Sequence, residues 1–269
     1  MVQNKEKVKL VLESAQDPAS VSIATFLQEK LSFSPTYNSS LFKAGEIYLL
    51  KTGKKHLYFD NIDEEISKLD LNIETLIFLS KHSSQAKINS LTVHATGNFS
   101  EASLGGKSGQ LSFADPGNMT SALRIMKGLP VEDFSITFEA THHGPLTMIP
   151  SFFIEIGTES KDWENRDALH TVTQAIMNCR DNGEGGFIGI GGGHYSPKIT
   201  EYVLQNTINI GHIVPKHNHE NLNTSTLKQA SERTKSFRGI VMDKKGTRGP
   251  VREIVKKFVD EISCELIVL

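Results

Sequence analysis

The sequence predicts an α/β fold, a single domain in which a mostly parallel mixed sheet is flanked by helices. Two observations carry this. Short apolar runs alternate with amphipathic segments of helical length through most of the chain, the pattern that parallel strands and their crossovers require. Histidine-bearing segments also recur where an apolar run gives way to glycine, proline or serine: FLSKHSS, LTVHATG, SITFEATHHGP, GFIGIGGGHYSP and INIGHIVPKH. Strand ends in an open α/β sheet gather at one rim, so these five segments converge on a polar, imidazole-rich crevice. At 269 residues the chain is long enough to bury a substantial core.

Taken in order, residues 8–12 read as a buried strand. Residues 14–31 turn through Asp17 and Pro18 into a helix with Val21, Ala24, Phe26 and Leu27 near helical spacing. Residues 46–50 and 56–60 flank KTGKK and predict a hairpin. Strands follow at 74–79 and 91–95, then a Gly- and Ser-rich stretch at 97–117 that reads as one long surface loop. A helix at 119–127 leads to strands at 134–140 and 152–156. The strongest helical stripe, with Trp163, Ala168, Leu169, Val172, Ala175 and Ile176, predicts one helix over 162–180. Strands at 187–190, 208–214, 239–243 and 265–269 then alternate with helices at 200–205, 225–234 and 251–262.

Composition narrows the function classes. A net charge of -2 gives no global attraction to nucleic acid, so such contact needs local basic patches. Lys51, Lys54 and Lys55 form one, and Lys244, Lys245, Arg248, Arg252, Lys256 and Lys257 another, although charge runs are commonly just solvated faces. Two cysteines outside any CxxC pair argue against a disulfide scaffold or a thiolate zinc ribbon and fit a reducing cytosol. No stretch approaches the roughly 20 apolar residues of a membrane helix. A cytoplasmic protein is expected.

The chemistry lies at the strand ends. His142 and His143 serve one site only if the backbone turns between them, which Gly144 and Pro145 favour; the plainer alternative is a surface pair. Gly186, Gly189, Gly191, Gly192 and Gly193 strip side chains from a strand end, so that free N–H groups can cradle a phosphate or an oxyanion, or simply allow a tight strand-to-helix crossing. His194 sits at the lip. This is not the GxGxxG dinucleotide fingerprint. Glu155 within SFFIEIG, and Glu139 within SITFEA, are costly to bury unless each binds a cation or a basic partner. His82 and His94 lie near Ser80, Ser83 and Ser84, but no GxSxG elbow supports a serine nucleophile. His56, His170 and His219 read as ordinary surface or cap residues.

Together FLSKHSS, LTVHATGNF, FEATHHGP, FFIEIGTES, GIGGGHYSP and GHIVPKH closely resemble, in order and spacing, the archaeal and plant type of D-aminoacyl-tRNA deacylase. The resemblance covers most of the chain from residue 8 onward. It implies hydrolysis of the ester joining a D-amino acid to the 3' end of tRNA, broad side-chain tolerance, and a fold similar to peptidyl-tRNA hydrolases and nucleoside phosphorylases. It also implies zinc, two ions per chain. By motif it points to His82, His94, His142, His143, Glu155, His194 and His212. Within that set His142, His143, His194 and Glu155 are assigned to the metal, and His82 or His94 to a ligand or general base that activates water. The amides of Gly191, Gly192 and Gly193 would receive the oxyanion or the terminal nucleotide. The expected partner is the 3' end of D-aminoacyl-tRNA, bound by a monomer with no membrane association. A phosphorylase-like enzyme, a peptidyl-tRNA hydrolase and a non-catalytic tRNA-binding module are the competing readings.

Overall fold

The strands divide between two sheets, both dominated by parallel pairs, in a computed structural model that describes residues 5–83, 88–129 and 131–269. β1 (Lys7–Ser14) is buried along nearly its whole length, as Val8, Leu10, Val11 and Leu12 dictate. It passes into α1 (Pro18–Lys30) through Asp17, whose side chain accepts the Ser20 amide at 3.0 Å. Pro18 occupies a first-turn position with no hydrogen bond to lose.

The chain returns through β2 (Ser34–Pro35), β3 (Leu41–Ala44) and β4 (Ile47–Thr52). Here the expected hairpin across KTGKK is corrected: β4 pairs antiparallel with β3, and His56–Tyr58 is a 3-10 turn. The two strands are joined through Gly45 at φ 59°, a backbone shape that glycine adopts without strain. α2 (Ile62–Ser67) was not predicted, because six residues are too few to display a helical stripe.

β5 (Asn72–Lys81), β6 (Ser90–His94), α3 (Pro116–Lys127), β7 (Ser135–Phe138) and β8 (Ser151–Ile156) complete the larger sheet, whose order is β2-β3-β4-β1-β5-β8-β6-β7. β4, β1, β5 and β8 are mutually parallel; β6 runs antiparallel to β8 and parallel to β7. The helix expected over 162–180 is two, α4 (Ser160–Trp163) and α5 (Arg166–Asn178). Asn165 interrupts it by accepting the amides of Asp167 and Ala168, which starts a new helix N-terminus.

The smaller sheet is built from β9 (Gly186–Ile190), α6 (Pro197–Gln205), β10 (Asn209–Val214), α7 (Thr224–Glu232), β11 (Phe237–Met242), α8 (Gly249–Ile262) and β12 (Glu265–Val268). Its four strands are all parallel, in the order β10-β9-β11-β12. One continuous cluster of buried side chains joins the sheets, running from Val11, Ile77 and Ile154 to Phe187, Ile210 and Val241. Residues 97–117 are not a surface loop throughout. Asn98, Phe99, Leu111, Ser112 and Ala114 are buried, Ala114 bridges both Ser151 and Thr234, and Pro116 and Gly117 already belong to α3. Among the described residues no helix is long and apolar enough to cross a membrane.

Candidate active site

The histidine-bearing strand ends meet at the seam of the two sheets. His82 directly follows β5, His94 ends β6, Glu139, His142 and His143 follow β7, Glu155 lies in β8, and His194 sits in the β9–α6 connection. The ladder places Glu155 opposite Thr92 on one side and Ser80 on the other, so its side chain stands between His82 and His94. Backbone bonds fix the other segments. Ala140 N–H donates to His194 O at 2.8 Å and Ser196 N–H to Phe138 O at 3.1 Å, which clamps the β9–α6 connection against the end of β7. Gly97 N–H donates to His143 O at 2.8 Å. The turn between the paired histidines is real: His143 has φ 45°, in the left-handed region that directs consecutive side chains to one place.

The resulting cluster is dense. Glu139 Oε1 lies 2.9 Å from His82 Nδ1, and its Oε2 lies 2.9 Å from His194 Nε2 and 3.7 Å from His142 Nε2. Glu155 reaches His82 Nδ1 at 3.3 Å and His94 Nε2 at 3.5 Å. The ring of His142 stands 4.3 Å from both His94 and His143 and 4.9 Å from His194, centroid to centroid. Phe153 forms an apolar floor, stacked on His94 at 5.3 Å and on His56 at 5.2 Å. Glu139, Glu155, His82, His94 and His143 are buried, whereas the side chains of His142 and His194 keep 31% and 40% of their exposure and form the open side. They face a cleft of about 290 Å³ whose far wall is Phe99, Ser100 and Leu104 from the long loop, with the exposed His217 beside it.

Electrostatics sort the imidazoles. Burial alone would lower His82, but the carboxylates of Glu139 and Glu155 override it and push it up to about 11. His82 is therefore a cation at neutral pH in this arrangement; it donates from Nδ1 to Glu155 Oε2 at 3.3 Å and from Nε2 to the Tyr195 hydroxyl at 2.7 Å. Burial likewise acts against charge on Glu139 and Glu155, and the facing imidazoles nonetheless hold both carboxyls well below their usual range. His142 is lowered to about 4 by burial and by the neighbouring His94, and His143 is lowered by burial and by His142.

Donor geometry fits a metal ion. His94, His142 and His143 each hold Nδ1 against a backbone carbonyl, at Ala95 (3.1 Å), Ala140 (2.9 Å) and Gly144 (2.6 Å). Such bonds fix the tautomer and, in the neutral ring, leave Nε2 as the lone-pair atom, the usual support of metal-binding imidazoles. At His94 burial opposes charge but Glu155 raises the ring, so a metal would displace a proton there. One ligand atom from each of these three lies within 4.8 Å of the others; the same holds for His82, Glu139 and His194, and for His94, Glu139 and Glu155. His94 Nε2 and both Glu139 oxygens are buried without an aligned hydrogen-bond partner, the kind of vacancy in bonding that a cation satisfies.

Among the expected site residues, His142, His143 and His194 share this cavity, but Glu155 stands nearer His82 and His94, and Glu139 is the carboxylate against His194. His212 is apart: buried, it takes Thr141 Oγ1 at Nδ1 and donates from Nε2 to Ser112 O, and burial lowers it to about 4. Gly192 and Gly193 line a neighbouring pocket instead of the histidine cleft. Ser80 bonds Asp17 and the Lys81 carbonyl, Ser83 is exposed, and Ser84 lies outside the described residues. His170 is exposed as expected, while His56 and His219, read as surface residues, are both buried. Tyr195 was missed altogether; its place next to His194 was the one available signal.

Comparisons with known proteins identify the family. The family model described as D-aminoacyl-tRNA deacylase matches residues 69–267. A protein of Thermoplasma acidophilum named D-aminoacyl-tRNA deacylase is 42% identical over 97% of this chain and 99% of its own length. One of the same name from Pyrococcus horikoshii is 34% identical over 97% and 99%. A crystal structure described as a conserved protein of unknown function superposes with a TM-score of 0.89 at 29% identity, covering 98% of this chain and 96% of that one. Matched by that family model over residues 69–267 and by its named members along almost its entire length, the chain belongs to the D-aminoacyl-tRNA deacylase family.

Proposed function

We propose that the protein hydrolyses the ester between a D-amino acid and the 3' end of tRNA, with the seam cluster of imidazoles and carboxylates as its hydrolytic centre. Family membership supports the reaction and the substrate, a translation quality-control activity. The observation that supports the site is the convergence of His94, His142 and His143, each with Nδ1 tied to a carbonyl, on an open cleft of about 290 Å³.

His94, His142 and His143 would hold a zinc ion, with Glu139, His194 and His82 as the proton-handling groups beside it. Zinc bound there supplies Lewis-acid polarisation of the ester carbonyl. The chain's own groups do the rest. Glu139 Oε2, 2.9 Å from His194 Nε2, holds that edge of the ring and leaves Nδ1 of His194 as the atom that takes a proton from the attacking water. His82, charged between the two carboxylates, offsets their negative charge and keeps both ionised. Phe153 and the loop carrying Phe99 and Leu104 exclude bulk water from the reacting ester. On this reading the enzyme works as a cytoplasmic monomer, where aminoacyl-tRNA is used, and its two free cysteines suit a reducing compartment.

The test is to incubate D-Tyr-tRNA and L-Tyr-tRNA with the protein as purified, after exhaustive chelation, and after zinc is restored. Loss of the D ester alone, stopped by chelation and recovered with zinc, is the expected result. Equal loss of both enantiomers removes the chiral assignment, and hydrolysis that survives chelation removes the metal. His194→Ala should lower kcat by about 100-fold with an unchanged melting temperature.

A further inference from the structure

The chain leaves β9 to one side, through α6 into β10, and later to the other side into β11. That reversal makes the gap between the C-terminal ends of β9 and β11 a topological switch point, where the loops of an open parallel sheet part and leave a crevice for a ligand. A pocket of about 240 Å³ lies at that place, with walls from the glycines after β9, the start of α6, and Asp243 after β11. It lies beside the histidine cleft, on the other face of one loop. His194 and Tyr195 turn their functional atoms to Glu139 and His82, whereas Gly192 and Gly193 line the second pocket.

Its lining is rich in unused donors. Gly192 has φ 83°, and neither its amide nor that of Gly193 finds an acceptor among the described residues. Ser196 is 2% exposed, yet its hydroxyl has no hydrogen-bond partner and does not cap α6, although it precedes that helix directly. Ser196 lines the pocket, with Oγ only 3.3 Å from where a Cβ on Gly192 would stand. A buried hydroxyl without a partner is rare in a folded chain, and one placed beside free amides at a helix N-terminus matches the needs of a phosphate group. Lys198 adds an ammonium to the lining, and Lys244 and Lys245, which follow Asp243 in the chain, are exposed. The carboxylate in the pocket is Asp243, ion-paired to Lys198 at 2.8 Å; it also accepts the Lys245 and Gly246 amides. A carboxylate beside a phosphate site suits the hydroxyls of a ribose.

We propose that this pocket binds a ribose phosphate, with the phosphate at Ser196 Oγ and the Gly192 and Gly193 amides and the sugar hydroxyls at Asp243. Its source is the tRNA strand whose end enters the neighbouring cleft, a clause that rests on the deacylase reading; the ribose-phosphate chemistry does not.

Calorimetric titration of the full chain with AMP, adenosine and inorganic phosphate tests this without any ester present. Wild type should bind AMP at least about tenfold more tightly than adenosine, and Ser196→Ala should weaken AMP by about tenfold while its ligand-free melting temperature stays level or rises, since the lost hydroxyl had no partner. Equal affinity for AMP and adenosine, or unchanged AMP binding in Ser196→Ala, overturns the pocket. Deacylated tRNA should displace AMP from the wild type; AMP that stays bound at saturating tRNA overturns the tRNA source. Persistence of D-Tyr-tRNA in the hydrolysis assay is a separate result, so failure of the function and failure of this pocket are told apart.

Discussion

His82 and His212 mark the two extremes that an interior can impose on an imidazole. Both are buried, but His82 faces two carboxylates that override desolvation, whereas His212 faces the Thr141 hydroxyl and the backbones of Ser112 and Arg233, so burial wins and, with the Arg233 charge, lowers it to about 4. A group whose pKa is depressed on folding is protonated first in the unfolded chain. Its contribution is therefore present above the ordinary value near 6.5 and is lost as pH falls toward about 4. His212→Gln retains an amide donor for Ser112 and removes that titration. Urea unfolding of zinc-free protein between about pH 7 and about pH 4.5 should show the wild type losing up to about 1.4 kcal/mol per pH unit more than the variant. Matching slopes would mean that His212 carries a proton in the fold. Sequence reasoning found every imidazole of the cluster because each follows an apolar run, but it could not separate His212 from the rest. That separation depends on whether a carboxylate or a carbonyl lies across the gap, and Glu139, 55 to 57 positions from His82 and His194 in the chain, becomes their partner only after the strands have paired.

At the scale of elements, the site depends on three backbones converging behind the paired histidines. A Cβ on Gly144 would stand 2.3 Å from Gly106 N and 2.4 Å from Leu57 O, so the turn after β7, the long loop and the 3-10 turn at His56–Tyr58 touch where only glycine fits. Gly144→Ala must push one of these away, at a cost of about 1–3 kcal/mol by the usual scale of overpacking. Displacing His143 with it, the variant should also bind zinc more weakly, read by competition with a chromogenic chelator; wild-type stability and zinc affinity together would show that the contact yields freely. The long runs that became β1, β5, β8 and α5 were legible because each buries a recognisable stripe or a whole strand. The β3–β4 hairpin was not, since KTGKK carries the louder turn signal, and pairing partners are chosen by the apolar faces that meet in space. The division into two sheets was hidden for the same reason: alternation of strand and helix is identical whether successive strands join one sheet or two.

The whole molecule places its chemistry on a seam. The larger sheet supplies His82, His94, Glu139, His142, His143 and Glu155, and the smaller sheet supplies His194 and Tyr195 on the loop that leaves β9. The same smaller sheet carries, after β11, the exposed Lys244 and Lys245 and then Arg248 and Arg252 toward α8. A chain of net charge -2 has no overall pull on a polyanion, so any attraction has to come from local patches, and this is one of them. Each phosphate neutralised by a lysine or arginine releases counterions, and binding then weakens with salt in proportion to the number of contacts. KM for D-Tyr-tRNA should thus climb steeply between about 50 and 200 mM salt, and Lys244→Glu combined with Lys245→Glu should raise KM at low salt and flatten the log–log slope by about one to two. A slope that the double variant leaves untouched would move the tRNA contacts to another face, with the Lys51, Lys54 and Lys55 turn the next surface to reverse in charge.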